Sequence, residues 1–296
     1  MQRFISLLLV SALGISAAIS GTPTQEKKLK MRVAIEPVNW NDHESVGSWY
    51  VPAEFKAAIH EKLMKKLADS GKCIVIEWQA VEEAIEKKAK VVPAQILIKS
   101  RVTEFDMNQA SSGGGINVGG LGRVGGSATV GKMALKLKLN SVDTAQMVGE
   151  VNAVGNASKT GLRFDGNHKL AFADFQSFEK SPLGEATSKA VDDAAKKILE
   201  QLGKTPWSCR VSDYDAASKE ITLSAGSEGG VSVGDTFEVH KVTRTVKDET
   251  TGEILGVRTV KVGTIKVTEV DKRFSFAKIE SGEGYEAGLL VREIGK

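Results

Sequence analysis

The chain has few of the residues on which catalytic and metal sites are usually built. It contains two cysteines, Cys73 and Cys209, and four histidines that are widely separated. No histidine has a second histidine or cysteine at metal-ligand spacing, so we expect no metal site and no cofactor. No G-x-S-x-G motif occurs, and neither cysteine has a local catalytic signature. The sequence therefore predicts a protein that is not an enzyme.

The chain also lacks a large excess of charge of one sign and long apolar runs. The 40 basic and 37 acidic residues leave a net charge of +3, and no basic run contains interleaved aromatic residues. This balance argues against a nucleic-acid partner. Beyond the N-terminal region no segment reaches 18 apolar residues, so we expect no membrane-spanning helix there.

The N-terminal region has the pattern of an export signal. Arg3 precedes a short apolar run over residues 4–19, and Ala18 and Ser20 fit the small-residue cleavage positions. We therefore expect a signal peptide at residues 1–20, with an uncleaved anchor as the alternative. No cysteine follows the run, so we expect an exported protein of the periplasm or outer membrane that is not lipidated. Cys73 and Cys209 are far apart in the sequence, and two separately buried thiols are favoured over a disulfide.

Two regions with different patterns follow the signal. Residues 21–203 alternate predicted strands and helices, and Phe55, Ile59, Leu63 and Leu67 recur at helical spacing. A second helix is predicted at residues 80–90, and a long third helix opens at Ser181-Pro182 and ends at Gly203. Residues 207–296 contain short strands separated by glycine turns, which is typical of a small all-β barrel or sandwich.

A glycine-rich stretch interrupts the first region. Eight of the fourteen residues at 113–126 are glycine, and glycine at this density is unfavourable within an ordinary packed strand. It lacks the GK[ST] ending of a phosphate-binding loop, and a strand rather than a helix follows it. Because strands are predicted on both sides, the stretch is interpreted as the tip of an extended hairpin. It is either a disordered loop or a segment whose backbone pairs with something outside its own domain.

A second unusual segment covers residues 156–180. We predict two short strands here around the turn Asp165-Gly166-Asn167. Four of the chain's ten phenylalanines lie in the segment: Phe164, Phe172, Phe175 and Phe178.

Several short motifs, taken in order, resemble the curli production assembly/transport (CsgG) family over residues 31–202. They are the strand MRVAIEPVNW, a helix ending in SGK, and the motifs VTEF, SGGGI, LNSVDT and PLGEAT. The C-terminal segments AGSEGGV and VGDTFEV resemble the small β module that ends flagellar T-ring proteins.

The resemblance implies a ring of identical subunits in the outer membrane, through which unfolded fibre subunits or other secreted or envelope partners pass. The implied fold class is α+β: a three-layer-like α/β periplasmic domain with two β-hairpin insertions, then a small all-β barrel. Each subunit would insert both hairpins, at residues 108–130 and 156–180, into a shared barrel. The hairpin residues would include Gly113, Ile116, Val118, Leu121, Val124, Phe164 and Phe172.

The segment YVPAEF is similar to a family pattern, Tyr-Pro-Ala-x-Asn-Phe, that narrows the channel. The resemblance implies a constriction formed by Tyr50, Glu54 and Phe55, with Glu54 replacing the family's amide. The alternative is structural: Tyr50 and Phe55 would staple the start of a helix, and Glu54 would favour its first turn.

Two other functions stay open from the residues. A soluble periplasmic adaptor or ring scaffold explains the missing lipid attachment and the weakly apolar first insertion. A module that binds cell-wall glycan would use Trp207 and Tyr214 for stacking, although an aromatic pair near a domain junction is more often part of a core.

Overall fold

The computed structural model describes residues 29–40, 51–89, 92–110, 116–118, 122–124, 128–160, 174–252 and 254–295. Its first part is a mixed five-stranded sheet with helices on both faces. The strands are β1 (Met31–Ile35), β2 (Cys73–Ile76), β3 (Ile96–Ala110), β6 (Ala128–Ser141) and β7 (Met147–Thr160), and the helices are α1 (Ala53–Asp69), α2 (Trp78–Glu86), α3 (Phe175–Glu179) and α4 (Pro182–Leu202). The order across the sheet is β2-β1-β3-β6-β7. Strand β1 is parallel to β2 and β3, whereas the β3–β6 and β6–β7 pairs are antiparallel.

Helices α1 and α4 form where the sequence predicted them. In α1 the four residues of the predicted stripe are the buried ones, and Gly71 follows the helix with a φ of +64°. Helix α4 begins at Pro182, and the Ser181 hydroxyl caps it by accepting a hydrogen bond from Gly184 N at 3.0 Å. Helix α2 runs from residue 78 to 86 rather than from 80 to 90, about one turn nearer the N-terminus than expected.

Successive side chains along the strands point to opposite faces of the sheet, and they pack into two separate hydrophobic cores. In β6, Met133, Leu135, Leu137 and Leu139 are fully or almost fully buried in the main core, which α1 and α4 cover. A smaller cluster on β1 and α2 contains Ala34 and Val81. Helices therefore flank both faces of the sheet.

Helix α4 approaches β6 and β7 so closely that only glycine fits at two positions. A Cβ added at Gly155 would lie 1.9 Å from Ala186 O, and one added at Gly131 would lie 2.4 Å from the Pro182 backbone. Neither glycine has a positive φ, so close packing and not backbone conformation requires them.

The second part is a closed six-stranded antiparallel barrel, with the order β10-β11-β12-β9-β8-β13. Its ring is completed by the pairing of β10 with β13. The strands are β8 (Ser208–Asp215), β9 (Glu220–Leu223), β10 (Thr236–Lys247), β11 (Ile254–Val270), β12 (Ser275–Gly282) and β13 (Leu290–Glu293), with a short 3-10 helix, η1 (Ser227–Gly229), after β9.

Sheet and barrel share one hydrophobic core and a polar junction. The Arg210 side chain on β8 donates hydrogen bonds to Asp143 Oδ1, in the β6–β7 turn, and to Gly288 O, each at 2.6 Å. The Asp143 side chain is 7% exposed, so this ion pair is largely removed from water. Buried Gln95 accepts from the backbone of β1 and donates to the backbone of β8. The barrel is therefore fixed to the sheet by buried polar bonds as well as apolar contact.

Both cysteines are free and buried, as the sequence favoured. Burial raises the pKa of the Cys73 thiol to about 11 and also raises that of Cys209. Because the thiolate is the reactive form, we expect neither thiol to react with Ellman's reagent at pH 8 in the native protein, and both to react in denaturant. A Ser218→Cys variant, placed on an exposed turn, should react at once and serves as the control. Rapid stoichiometric labelling of the native protein would contradict this prediction.

Candidate functional site at the ends of the long strands

Three adjacent strands end at the same level of the sheet. The last pair of the β3–β6 ladder is Ala110 with Ala128, and Ala128 also pairs with Thr160 at the end of β7. The chain therefore leaves the sheet for residues 111–127 and again for residues 161–173 from one end, and from neighbouring strands. Two segments that are separated in the sequence start side by side.

The glycine-rich stretch contains a short antiparallel pair, β4 (Ile116–Val118) with β5 (Gly122–Val124). Ile116 pairs with Val124, and Val118 pairs with Gly122. This pairing confirms the prediction that the stretch is the tip of a hairpin. Gly113 and Leu121, which were predicted as membrane-hairpin residues, lie outside the described residues.

The second predicted insertion needs correction at both ends. Residues 156–160 belong to β7 within the sheet, and residues 175–179 form helix α3 rather than a strand. Helix α3 forms because Asp174 caps it, accepting a hydrogen bond from Ser177 N at 2.7 Å, and this bond lowers the pKa of the Asp174 carboxyl. The spacing of Asp174 and Ser177, which is that of a helix N-cap, was the sequence signal that could have predicted this helix. Phe164 and Phe172 lie outside the described residues.

Charged side chains lie on the sheet just below the end where the two segments leave. Lys132 Nζ lies 2.7 Å from Glu104 Oε2, and both side chains are about two-fifths exposed. Lys159 Nζ donates to Lys180 O, which ties the end of β7 to the residue after α3. One face of the sheet is therefore polar near this end, whereas Ala128 and Thr129 in the last described pairs are buried.

An aromatic cluster connects the start of α1 to β3 and α3. The Phe55 ring lies 5.2 Å from that of Phe175 and 5.4 Å from that of Phe178, between ring centroids. Phe105 on β3 lies 6.3 Å from Phe178 and 5.2 Å from Trp40. Outside the cluster, Lys62 Nζ contacts Glu179 Oε1 at 3.0 Å and joins α1 to α3. Ring contacts and one ion pair therefore join the start of α1 to α3, and ring contacts join α3 to β3.

The predicted constriction residues occupy different environments. Phe55 is 4% exposed and belongs to this cluster, as the structural alternative expected. Glu54 is exposed in the first turn of α1, where a carboxylate favours the helix dipole. Tyr50 lies outside the described residues, and the constriction itself stays a prediction.

Trp207 is part of the core and does not form a stacking surface. It is 3% exposed, its indole Nε1 donates to Lys30 O at 3.3 Å, and its ring lies 5.2 Å from Phe237. Tyr214 packs against Tyr285 at 6.2 Å between ring centroids. Trp207 and Tyr214 therefore do not form a common surface on which a glycan could stack.

Two other kinds of site are absent from the described part of the chain. There, no three histidine, cysteine or acidic side chains are grouped so that they could hold a metal ion. Among the helices of the same residues, none has the length and apolar composition of a membrane span.

Comparison with known families agrees with the motifs quoted above. The model of the family "Curli production assembly/transport component CsgG" matches residues 15–222. The chain belongs to the CsgG family. The match extends beyond α4 through β8 and into β9, so it includes the first strands of the barrel. The likeness of the remaining strands to flagellar T-ring modules stays a prediction, and no curated protein matches the sequence.

Solved structures give distant similarities. The hypothetical protein CT253 from Chlamydia trachomatis is 13% identical with a TM-score of 0.41, covering 60% of this chain and 99% of that one. Lipoprotein GNA1162 from Neisseria meningitidis is 9% identical with a TM-score of 0.31, covering 59% and 99%. The PelC dodecamer from Paraburkholderia phytofirmans is 12% identical with a TM-score of 0.29, covering 59% and 89%. We base no argument about function on these similarities.

Proposed function

We propose that this CsgG-family chain is exported to the cell envelope and assembles there into a ring that forms a diffusion channel for unfolded fibre subunits. The main support is the common exit of residues 111–127 and 161–173 from adjacent strands at one end of the sheet. In a ring, the two segments of each copy stand next to those of its neighbours. Pairing between them would satisfy the backbone hydrogen bonds that a membrane requires.

The glycine content of the first segment suits such pairing. Strand–strand pairing satisfies the backbone and requires no side chain, and neighbouring copies supply the packing that glycine lacks. The charged residues just below this end would lie at the water-facing border of the membrane. Transport through the ring would then be passive, with specificity set by what enters from the periplasm.

Segment length favours a second candidate, a soluble ring scaffold or adaptor of the envelope. A membrane-spanning strand needs about 9–11 residues, so a hairpin needs roughly 20. Residues 111–127 and 161–173 provide seventeen and thirteen. A spanning hairpin would therefore recruit the outer residues of β3, β6 and β7, including the region of Lys159. A scaffold has no such requirement.

Conductance in planar bilayers distinguishes the two candidates. We expect the purified mature protein to form detergent-stable rings that conduct ions, and we expect deletion of residues 113–126 to abolish conductance without changing the thermal unfolding of the sheet. Deletion of residues 249–251 from the exposed turn between β10 and β11 is the control and should conduct normally.

Two outcomes would reject the channel. One is unchanged conductance after deletion of residues 113–126. The other is recovery of the protein in the soluble periplasmic fraction without detergent, together with no conductance at all. The second outcome supports the scaffold, provided that negative-stain images of the same preparation show rings.

A further inference from the structure

A pocket lies where the β1–β2 edge of the sheet meets the barrel. It has about 420 Å³ of empty space, part of it open to solvent. Its walls come from β1, β2, η1 and the turn between β11 and β12. The charged residues that line it are Lys30, Arg32, Lys272, Arg273 and Glu228. Four basic residues and one acidic residue therefore surround the pocket.

Backbone hydrogen bonds hold these segments together. Lys30 N donates to Gly229 O at 2.8 Å, which joins β1 to η1. Glu228 N donates to Lys272 O at 3.1 Å, which joins η1 to the β11–β12 turn. The turn also packs tightly against Gly226, where an added Cβ would lie 2.4 Å from Asp271 O. The main chain therefore holds the segments that carry these basic residues next to one another.

Arg32 is the innermost of the four cations. Its Nη2 donates to Ser224 Oγ at 3.3 Å, while its Nε is buried and has no acceptor among the described residues. Burial lowers the pKa of the Arg32 guanidinium, nearby Cys209 and Asp143 raise it, and Arg273 lowers it by a smaller effect. A buried N–H donor without an acceptor is unfavourable. An anion bound beside Arg32 would supply the missing acceptor.

The remaining walls make an anion bind more strongly. Ile74, Ile76 and Pro93 line the sheet side of the pocket and make that side apolar. Ionic hydrogen bonds are stronger in such surroundings than in bulk water, and arginine presents two parallel N–H groups to an oxyanion. Glu228 is the one lining group that opposes an anion.

We propose that this pocket binds a phosphate group, either free phosphate or the phosphomonoester of a headgroup. The lining residues have three more positive than negative charges, which exceeds what one carboxylate or chloride neutralises and suits a dianion. The site lies away from the strand ends to which transport is assigned above, so it does not depend on that assignment.

Calorimetric titration of the purified mature protein with inorganic phosphate, in chloride buffer, tests the proposal. We expect one site per chain. Arg273→Gln should weaken binding about tenfold or more, because one charge-assisted contact is lost. Glu228→Gln should tighten it, because the opposing carboxylate is removed. Arg258→Gln removes one exposed charge from β11, outside the pocket lining, and should leave the affinity unchanged.

A second arm identifies the source of the phosphate. Vesicles of phosphatidylcholine with phosphatidic acid are sedimented with the same variants, and pure phosphatidylcholine is the blank. The site is assigned to a headgroup if three results are found together. The protein binds the phosphatidic acid vesicles but not free phosphate, Arg273→Gln loses this binding, and Arg258→Gln keeps it. The proposal is overturned if neither phosphate nor the vesicles show binding that depends on Arg273. It is also overturned if Arg273→Gln and Arg258→Gln weaken binding equally. Arg273 is exposed, so unchanged thermal unfolding of its variant is expected and is checked first.

Discussion

Replacing Gly155 by alanine should destabilise the protein by about 3 kcal/mol or more, the largest effect that we expect from a single methyl group. The new Cβ would lie 1.9 Å from Ala186 O and 2.5 Å from Ala190 N, both of which are backbone atoms of α4. A backbone atom cannot rotate away, so α4 must move off β7 and expose part of the main core. Chemical denaturation, followed by circular dichroism, measures the loss.

Gly149→Ala is the matched control, six residues earlier on the same face of β7. Its Cβ would meet the side chain of Gln201, whose atoms lie 2.5 to 2.7 Å away. That side chain can rotate at the cost of its hydrogen bond from Nε2 to Val148 O, so we expect a loss of about 1 kcal/mol. Equal losses in the two variants would show that the spacing of α4 and β7 is not what requires Gly155.

Replacing Asp143 by asparagine should cost about 3 kcal/mol, because it leaves the Arg210 guanidinium without its counter-charge in a largely buried site. Arg210 Nε lies 2.6 Å from Asp143 Oδ1, and Ser208 Oγ donates to the other carboxylate oxygen at 2.9 Å. Both donors belong to β8, whereas Asp143 belongs to the sheet region. The loss should therefore appear as weaker attachment of the barrel, measured by limited proteolysis and thermal unfolding.

Asp69→Asn removes a carboxylate of the same kind from an exposed pair. Asp69 lies 3.1 Å from Lys65, and both side chains are more than half exposed. Such pairs contribute about 0–1 kcal/mol, so the variant should unfold like the parent protein. A loss in Asp143→Asn no larger than in Asp69→Asn would contradict a structural role for the buried pair.

Local patterns in the sequence predicted the elements whose signals are short-range. The stripe from Phe55 to Leu67 predicted the buried face of α1, and alternation in β6 predicted which of its residues enter the core. Ser181-Pro182 gave the start of α4 because a capping side chain and a fixed φ act within one turn. Helix α3 was missed because two strands were predicted around the turn Asp165-Gly166-Asn167, whereas the local cap at Asp174 favours a helix.

The junction and the pocket could not be predicted from the sequence. Arg210 and Asp143 are 67 residues apart, and nothing in the sequence around either residue indicates the other. The cations of the phosphate pocket come from the first strand and from a turn near the C-terminus, so their proximity depends on how the barrel docks. The burial of Phe55 followed from its place in the helical stripe, whereas its contacts with Phe175 and Phe178 depend on tertiary packing.

The common end point of β3, β6 and β7 also determines how the molecule bears mechanical load. In antiparallel ladders the hydrogen bonds run perpendicular to the strands, so a pull along the strands at Ala110, Ala128 or Thr160 acts on many bonds in shear. A sideways pull would break the same bonds one after another. Helix α4 packs against β6 at Gly131 and against β7 at Gly155, and it supports these strands on one face of the sheet. A pull along the strand axis on residues 111–127 or 161–173 therefore acts in the direction in which the sheet resists force best.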